Sequence, residues 1–272
     1  MTDRERLLGL LDVFETARDD FTALVRELDD DEWELPTDLE GWTVHDVVSH
    51  TAHLEAVMAG SPEETVAVPQ GLPHVTSLMD FYTEQGVIAR RDHSREQLLQ
   101  EIAAATGQRL GETRANPPED GSERAAKTPG DIGWSWQTLL SNRPLDVWMH
   151  EQDIRRATGR PGNLDTVPAC HVVGVFGRGL GYVWGKKVGA AVGQTAAVEV
   201  TDLGKRFVVT IGDDGRGTRA GDDAVPDTTL RLGTEAFIVL SGGRRDPDSQ
   251  PVEVSGDAEL GGRLRCALAV TP

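Results

Sequence analysis

Residues 143–162, RPLDVWMHEQDIRRATGRPG, carry a pattern that an ordinary amphipathic helix does not have. A helix over 134–158 is expected, stopping at the Gly-Arg-Pro-Gly that begins at Gly159. At 100° per residue, Gln137, Ser141, Glu151, Gln152 and Arg155 share one face, which reads as the solvated one. The opposite face, expected to be core, holds Arg143, Asp146, His150 and Asp153 beside Leu139, Met149 and Ala157. Burying such groups unpaired costs several kcal/mol each, so something must compensate them. One answer is an ion-pair network, Arg143 with Asp146 and His150 with Asp153. The other is a divalent metal, because Asp146 and His150 at i, i+4 lie one turn apart on one face.

Upstream segments supply the rest of a bundle. Over 4–28, Leu7, Leu11, Phe14, Phe21, Leu24, Val25 and Leu28 recur at three- and four-residue spacing, which predicts a first helix. Thr43 and Asp46 form a start signal for a second over 43–58, carrying Val44, Val47, Val48, Thr51, Leu54 and Met58. Helical material is expected again from 75 to 111, interrupted near Asp92 and His93, with Ser94 and Gln97 as a capping box. The stretch 112–133 has no apolar periodicity, and a connection of that length reads as a flap over a site. Four long helices thus make an all-α first domain over 1–162.

Of the seven histidines, His45, His50 and His53 fall on the second helix. His50 lies at the edge of the apolar stripe, His53 further out and His45 opposite, so His50 is the one expected to turn inward and complete a set with Asp146 and His150. Three protein ligands and one open position suit a catalytic zinc, or another divalent ion, better than a structural one. Asp153 would then orient an imidazole.

Beyond Pro168 glycine rises and short β-branched runs appear as AAVEVTD, KRFVVTIGD, DTTLRLG and PVEVSGD, with helical stretches TEAFIVLSGG and DAELGGRLRCAL. A second domain over 163–272, α+β with an antiparallel sheet, is expected. The fold class is therefore a two-domain α+β protein.

Composition narrows the function. The net charge of −18 and the lack of a basic, aromatic-studded stripe argue against a nucleic-acid partner. No apolar run approaches a membrane span, and the start MTDRERLLGLLD has no export-signal pattern, so a cytoplasmic protein without membrane contact is expected. Two cysteines, Cys170 and Cys266, form no CxxC pair, and their apolar surroundings predict buried, inert thiols.

The segments GWTVHDVVSH at 41–50 and RPLDVWMHEQDIRRATGRPG at 143–162 resemble the mycothiol-dependent maleylpyruvate isomerases, within the DinB-like group of metal-binding four-helix bundles. His50 looks like the first ligand of that family. The family's acidic residue, three intervening residues, His and Asp-Ile pair correspond to Asp146, His150, Asp153 and Ile154. The acid is usually Glu; here it is Asp146. The segments DTTLRLGTEAFIVLSGG and VEVSGDAELGGRLRCALAVTP resemble the sterol-carrier-like α+β domain that follows the bundle in this family.

The resemblance implies an enzyme that uses mycothiol or a similar low-molecular-weight thiol. The thiol would serve cis–trans isomerisation of a small electrophile such as maleylpyruvate, or be transferred to one. Arg143, Arg231, Arg244 and Arg245 are the candidate cations for an anionic thiol or substrate. A non-catalytic small-molecule or lipid binding protein and a metal-dependent hydrolase are the competing readings. Oligomeric state, a homodimer among the options, stays open.

Overall fold

The computed structural model describes residues 2–221 and 223–271. The chain divides into two compact units, Met1–Gly162 and Asn163–Pro272.

Unit 1 is helical: α1 (Asp3–Arg26), α2 (Val44–Met58), α3 (Leu78–Ile88), α4 (Arg95–Ala115) and α5 (Trp136–Ala157). Four of the five open on capping boxes, at Thr2/Glu5, Thr43/Asp46, Ser77/Asp80 and Ser94/Gln97. In each, a side chain and a backbone N–H satisfy each other's orphan groups and fix the first turn. α5 instead opens on the Ser135 hydroxyl and ends at Thr158, after which Gly159 takes a φ of +65° that favours glycine.

α1 packs Leu7, Leu11, Phe14, Phe21 and Val25 into the core as its spacing predicts. Each such side chain contributes about 1.5–3 kcal/mol of transfer free energy. α4 continues to Ala115, four residues beyond the end read from its pattern, so the connection to α5 begins later than expected. That connection is ordered by backbone hydrogen bonds between Ala125 and Trp134 and between Trp136 and Glu123.

Two helices depart from amphipathic form. α2 is buried from Asp46 through Met58 on every side. α5 buries Ser141, Glu151 and Gln152, three of the five residues assigned to a solvated face, so that side does not meet water as expected. Glu151 is compensated by Arg155 at 2.7 Å.

Unit 2 opens with α6 (Val167–Tyr182), followed by β1 (Thr195–Val200), β2 (Lys205–Ile211), β3 (Gly217–Arg219), β4 (Thr228–Leu232), α7 (Thr234–Ser241), β5 (Glu253–Gly256) and α8 (Ala258–Ala267). The sheet order is β3-β2-β1-β4-β5. β1 and β4 run parallel, with Val198 opposite Leu230, so the sheet is mixed and not antiparallel throughout. The chain returns to the free edge of β1 after the β2–β3 hairpin has occupied the other. α6 lies against β2 and β3 at its glycines: a Cβ on Gly177 would meet the Phe207 ring at 2.2 Å, and one on Gly181 the Gly217 carbonyl at 2.5 Å. Cys170 is half-buried and Cys266 exposed, which corrects the expectation of two buried thiols. Among the described residues no helix is long and apolar enough to cross a membrane.

Candidate metal centre

α2 and α5 bring His50, Asp146 and His150 together inside unit 1. One ligand atom from each lies within 4.8 Å of the other two. The His50 and His150 Nε2 atoms stand 3.9 and 3.8 Å from the two Asp146 oxygens. Those separations are too long for hydrogen bonds. They exceed by a few tenths of an ångström the roughly 3.4 Å between two ligands of a tetrahedral ion with bonds of about 2.0–2.2 Å, a gap that small side-chain rotations close. The imidazoles meet edge to face, with centroids 4.9 Å apart, and both histidines are about 95% buried. Three donors turned toward one point, with no hydrogen bond among them, form a set that a divalent cation fits.

The electrostatics favour the ligating protonation states. Burial pushes the His50 imidazolium down from its ordinary value, with Asp146 opposing, so the ring is neutral. Burial by itself raises the Asp146 carboxyl, but the Arg143 guanidinium and the two histidines outweigh it and hold the group well below the usual carboxylate range. Neutral imidazole and ionised carboxylate are the forms that bind metal.

Several of the polar groups around these three are paired, whereas the buried His50 Nδ1 has no hydrogen-bond partner among the described residues. His150 Nδ1 donates to Asp153 Oδ2 at 3.2 Å, which leaves its Nε2 lone pair facing the centre. Asp153 also accepts from Arg156, which in turn donates to Asp38 at 2.7 Å. Arg143, 1% exposed, donates to Asp146 Oδ2 at 2.9 Å and to Glu55 Oε1 at 2.9 Å. Both ion pairs of the network reading thus exist, yet they leave the inner face of the two imidazoles unmatched. The ion-pair network therefore surrounds the three-donor set and does not use it up.

Sequence reasoning missed three contributors. Glu55, fully buried on α2, bridges Arg143 to Arg109 on α4. Trp42, before α2, packs tilted by 43° against both imidazoles, with ring centroids 5.0 Å from His50 and 6.5 Å from His150, and walls the site. Its indole N–H is held by buried Glu84 at 2.9 Å, which also meets His74 and Arg91. His53 is fully buried, not further out: it packs on Tyr82 and faces Arg90. One signal was available for Glu55, since an arginine buried beside a single aspartate calls for a second acid.

Of the other candidate cations, Arg231 stands half-exposed on β4 between Glu199 and Glu253 of the flanking strands. Arg244 donates to the Gly242 carbonyl in the turn after α7, and Arg245 beside it is exposed. All three belong to unit 2.

Two crystal structures of similar fold each cover 98% of their own chain and 95% of this one at 16% identity. One is the mycothiol-dependent maleylpyruvate isomerase, at a TM-score of 0.59, and the other a histidine-to-alanine mutant of that enzyme, at 0.56. No curated protein sequence matches the chain. The family model for the mycothiol maleylpyruvate isomerase N-terminal domain matches residues 14–155, a span that runs from α1 through His50, Asp146 and His150. Because that match takes in more than half of the sequence, the chain belongs to the mycothiol maleylpyruvate isomerase N-terminal domain family.

Proposed function

We propose that the chain is a metal-dependent enzyme in which His50, Asp146 and His150 hold a divalent ion, zinc by its donor set, that activates a low-molecular-weight thiol of the mycothiol type. The observation that carries this is that the Nε2 atoms of two buried histidines face Asp146 at 3.8–3.9 Å without a hydrogen bond. When bound, a divalent ion with an open position lowers the pKa of a coordinated thiol, giving a thiolate near neutral pH. The reaction is cis–trans isomerisation of a double bond conjugated to a carbonyl, as in maleylpyruvate, or transfer of the thiol to an electrophile. The likeness of fold to an enzyme of that name and the family membership support it.

The chain's own residues supply orientation and insulation. Asp153 fixes the His150 tautomer by accepting from Nδ1. Arg143 orients Asp146 and keeps it ionised. Trp42, anchored by Glu84, covers one side of the imidazoles and restricts water. No cysteine of the chain belongs to the cluster, so the nucleophilic sulfur comes from the thiol itself.

Elemental analysis of purified protein beside a His50→Ala variant tests the centre first. One equivalent of metal in the wild type and its loss in the variant is the expected result. Turnover of a maleyl-type electrophile with and without added thiol then separates this reading from a metal-dependent hydrolase, whose rate needs no thiol. A protein without stoichiometric metal, unchanged by His50→Ala, would be a non-catalytic binding module.

A further inference from the structure

Unit 1 encloses a second feature that the metal centre does not use. A cavity of about 360 Å³ is walled by Leu11, Met58, Trp136, Leu139 and Leu140, with Ala126 and Lys127 of the 116–135 connection at its mouth. At 1.5 Å per residue, Leu139 and Leu140 lie about 9–10 Å along α5 from Asp146, so this is a different level of the bundle.

One buried cation faces this space, besides the exposed Lys127. The Arg109 side chain is 11% exposed; its Nη1 donates to Met58 Sδ at 3.1 Å and stands 3.3 Å from Glu55 Oε2, and its Cζ lies 5.0 Å over the Phe14 ring. Nε and Nη2 have no acceptor among the described residues. Glu55 is shared, because Arg143 takes its other oxygen. One carboxylate thus serves two buried guanidiniums, and Arg143 alone has a second acid, Asp146. Burial draws the Arg109 guanidinium down, with Glu55 opposing, yet an arginine stays charged at neutral pH.

The rest of the lining repeats the pattern. The Thr113 and Asn116 side chains have no hydrogen-bond partner among the described residues, and Lys127 makes no ion pair among them. Glu112 also lines the cavity at its exposed side, and its carboxylate accepts from Gln108 at 2.9 Å. An apolar, aromatic-walled cavity with one buried guanidinium and a few polar groups at its exposed rim is the form of a small-molecule site, and about 300–1,000 Å³ is its usual size. A desolvated guanidinium with free donors calls for an anion, and a carboxylate matches its planar fork.

We propose that this cavity binds an apolar monocarboxylate, its chain along Leu11, Trp136, Leu139 and Leu140 and its carboxylate at Arg109, with Lys127 at the entrance. The site stands apart from the proposed thiol chemistry and does not need the metal. It also gives the 116–135 connection a role as the cover of this cavity.

Calorimetric titration of the full chain with decanoate, and with decanol as the uncharged match, tests the idea. Saturable one-to-one binding of decanoate, at least tenfold tighter than decanol, is expected. At two exposed positions, Ala126→Trp blocks the mouth and weakens decanoate more than tenfold, and Lys127→Gln weakens it about two- to fivefold. Decanoate binding should persist with excess chelator and in His50→Ala. Three results would overturn the proposal: no saturable binding, equal binding of decanol, or indifference to Ala126→Trp. Loss of decanoate binding on chelation would do the same, since it would place the carboxylate on the metal.

Discussion

At the scale of single residues, the polar contacts behind His50, Asp146 and His150 should set how tightly these three hold an ion. Asp153→Asn keeps the shape of the side chain but replaces a carboxylate acceptor of the His150 Nδ1–H with a neutral one. Metal affinity should fall about 10–100-fold, as it does when such partners are removed elsewhere. Competition with a chromophoric chelator measures this, and an unchanged affinity would mean that Asp153 serves only Arg156. Arg143→Met removes a different kind of support. It leaves the fully buried Glu55 Oε1 without its cation and deprives the partly exposed Asp146 of its own, and breaking a buried pair costs about 3–5 kcal/mol in urea unfolding. A loss below 1 kcal/mol would show that Arg109 alone can neutralise Glu55. Asp146, His150, Arg143 and Asp153 were legible in the sequence because ionisable groups one turn apart stand out on a face otherwise expected to be apolar, and His50 because it falls at the edge of the apolar stripe of α2. Glu55 and His53 were not, for a physical reason. Amphipathic spacing sorts residues only when one side of a helix meets water, and α2 meets water on no side from Asp46 to Met58.

At the scale of elements, the same limit took a different form in unit 2. Strands β1, β2, β4 and β5 announce themselves by β-branched runs between turn residues, and α7 and α8 by their apolar spacing. α6 does not, because Gly174, Gly177, Gly179 and Gly181 read as a loop. The structure separates glycines needed for contact from those that merely weaken the helix. A Cβ at Gly177 would lie 2.2 Å from the Phe207 ring, whereas one at Gly179 meets nothing within 4 Å. Gly177→Ala should therefore destabilise by about 1–3 kcal/mol through overpacking. Gly179→Ala should stabilise by up to about 1 kcal/mol through helix propensity alone. Opposite shifts of the thermal midpoint in the two variants check the argument, and shifts of the same sign would refute the packing of α6 on β2. The parallel pairing of β1 with β4 was illegible for a further reason: residue alternation says which side of a strand is buried but not which neighbour it pairs with.

At the scale of the whole molecule, acidity and buried histidine act on stability in opposite directions. Lowering the pH toward the pI of about 4.7 discharges a chain of net charge −18, which relieves self-repulsion and should favour the folded state. The buried histidines oppose this. Burial, reinforced by Arg90, pushes His53 down to about 3, and His50 is shifted in the same direction. An unfolded histidine has a pKa near 6.5, so below that pH the unfolded chain binds protons that the folded one refuses. The stability contributed by neutral His53 is thus complete above pH about 6.5 and is lost as the pH falls toward 3, by roughly 2 kcal/mol at pH 5. Asp146 enters later: its depressed carboxyl contributes above the usual carboxylate range and is lost only as the pH drops below about 4. In excess chelator, the melting temperature should therefore decline between pH 6.5 and 5, and His53→Gln should flatten that decline while leaving a remainder from His50. Zinc at a hundredfold over its dissociation constant should add about 2.7 kcal/mol at pH 7.5. That increment should shrink below pH about 6, where protons compete for the ligands. If melting curves with zinc and with chelator coincide at pH 7.5, no ion binds between α2 and α5; if they separate at pH 7.5 and converge in acid, two imidazoles and a carboxylate share one.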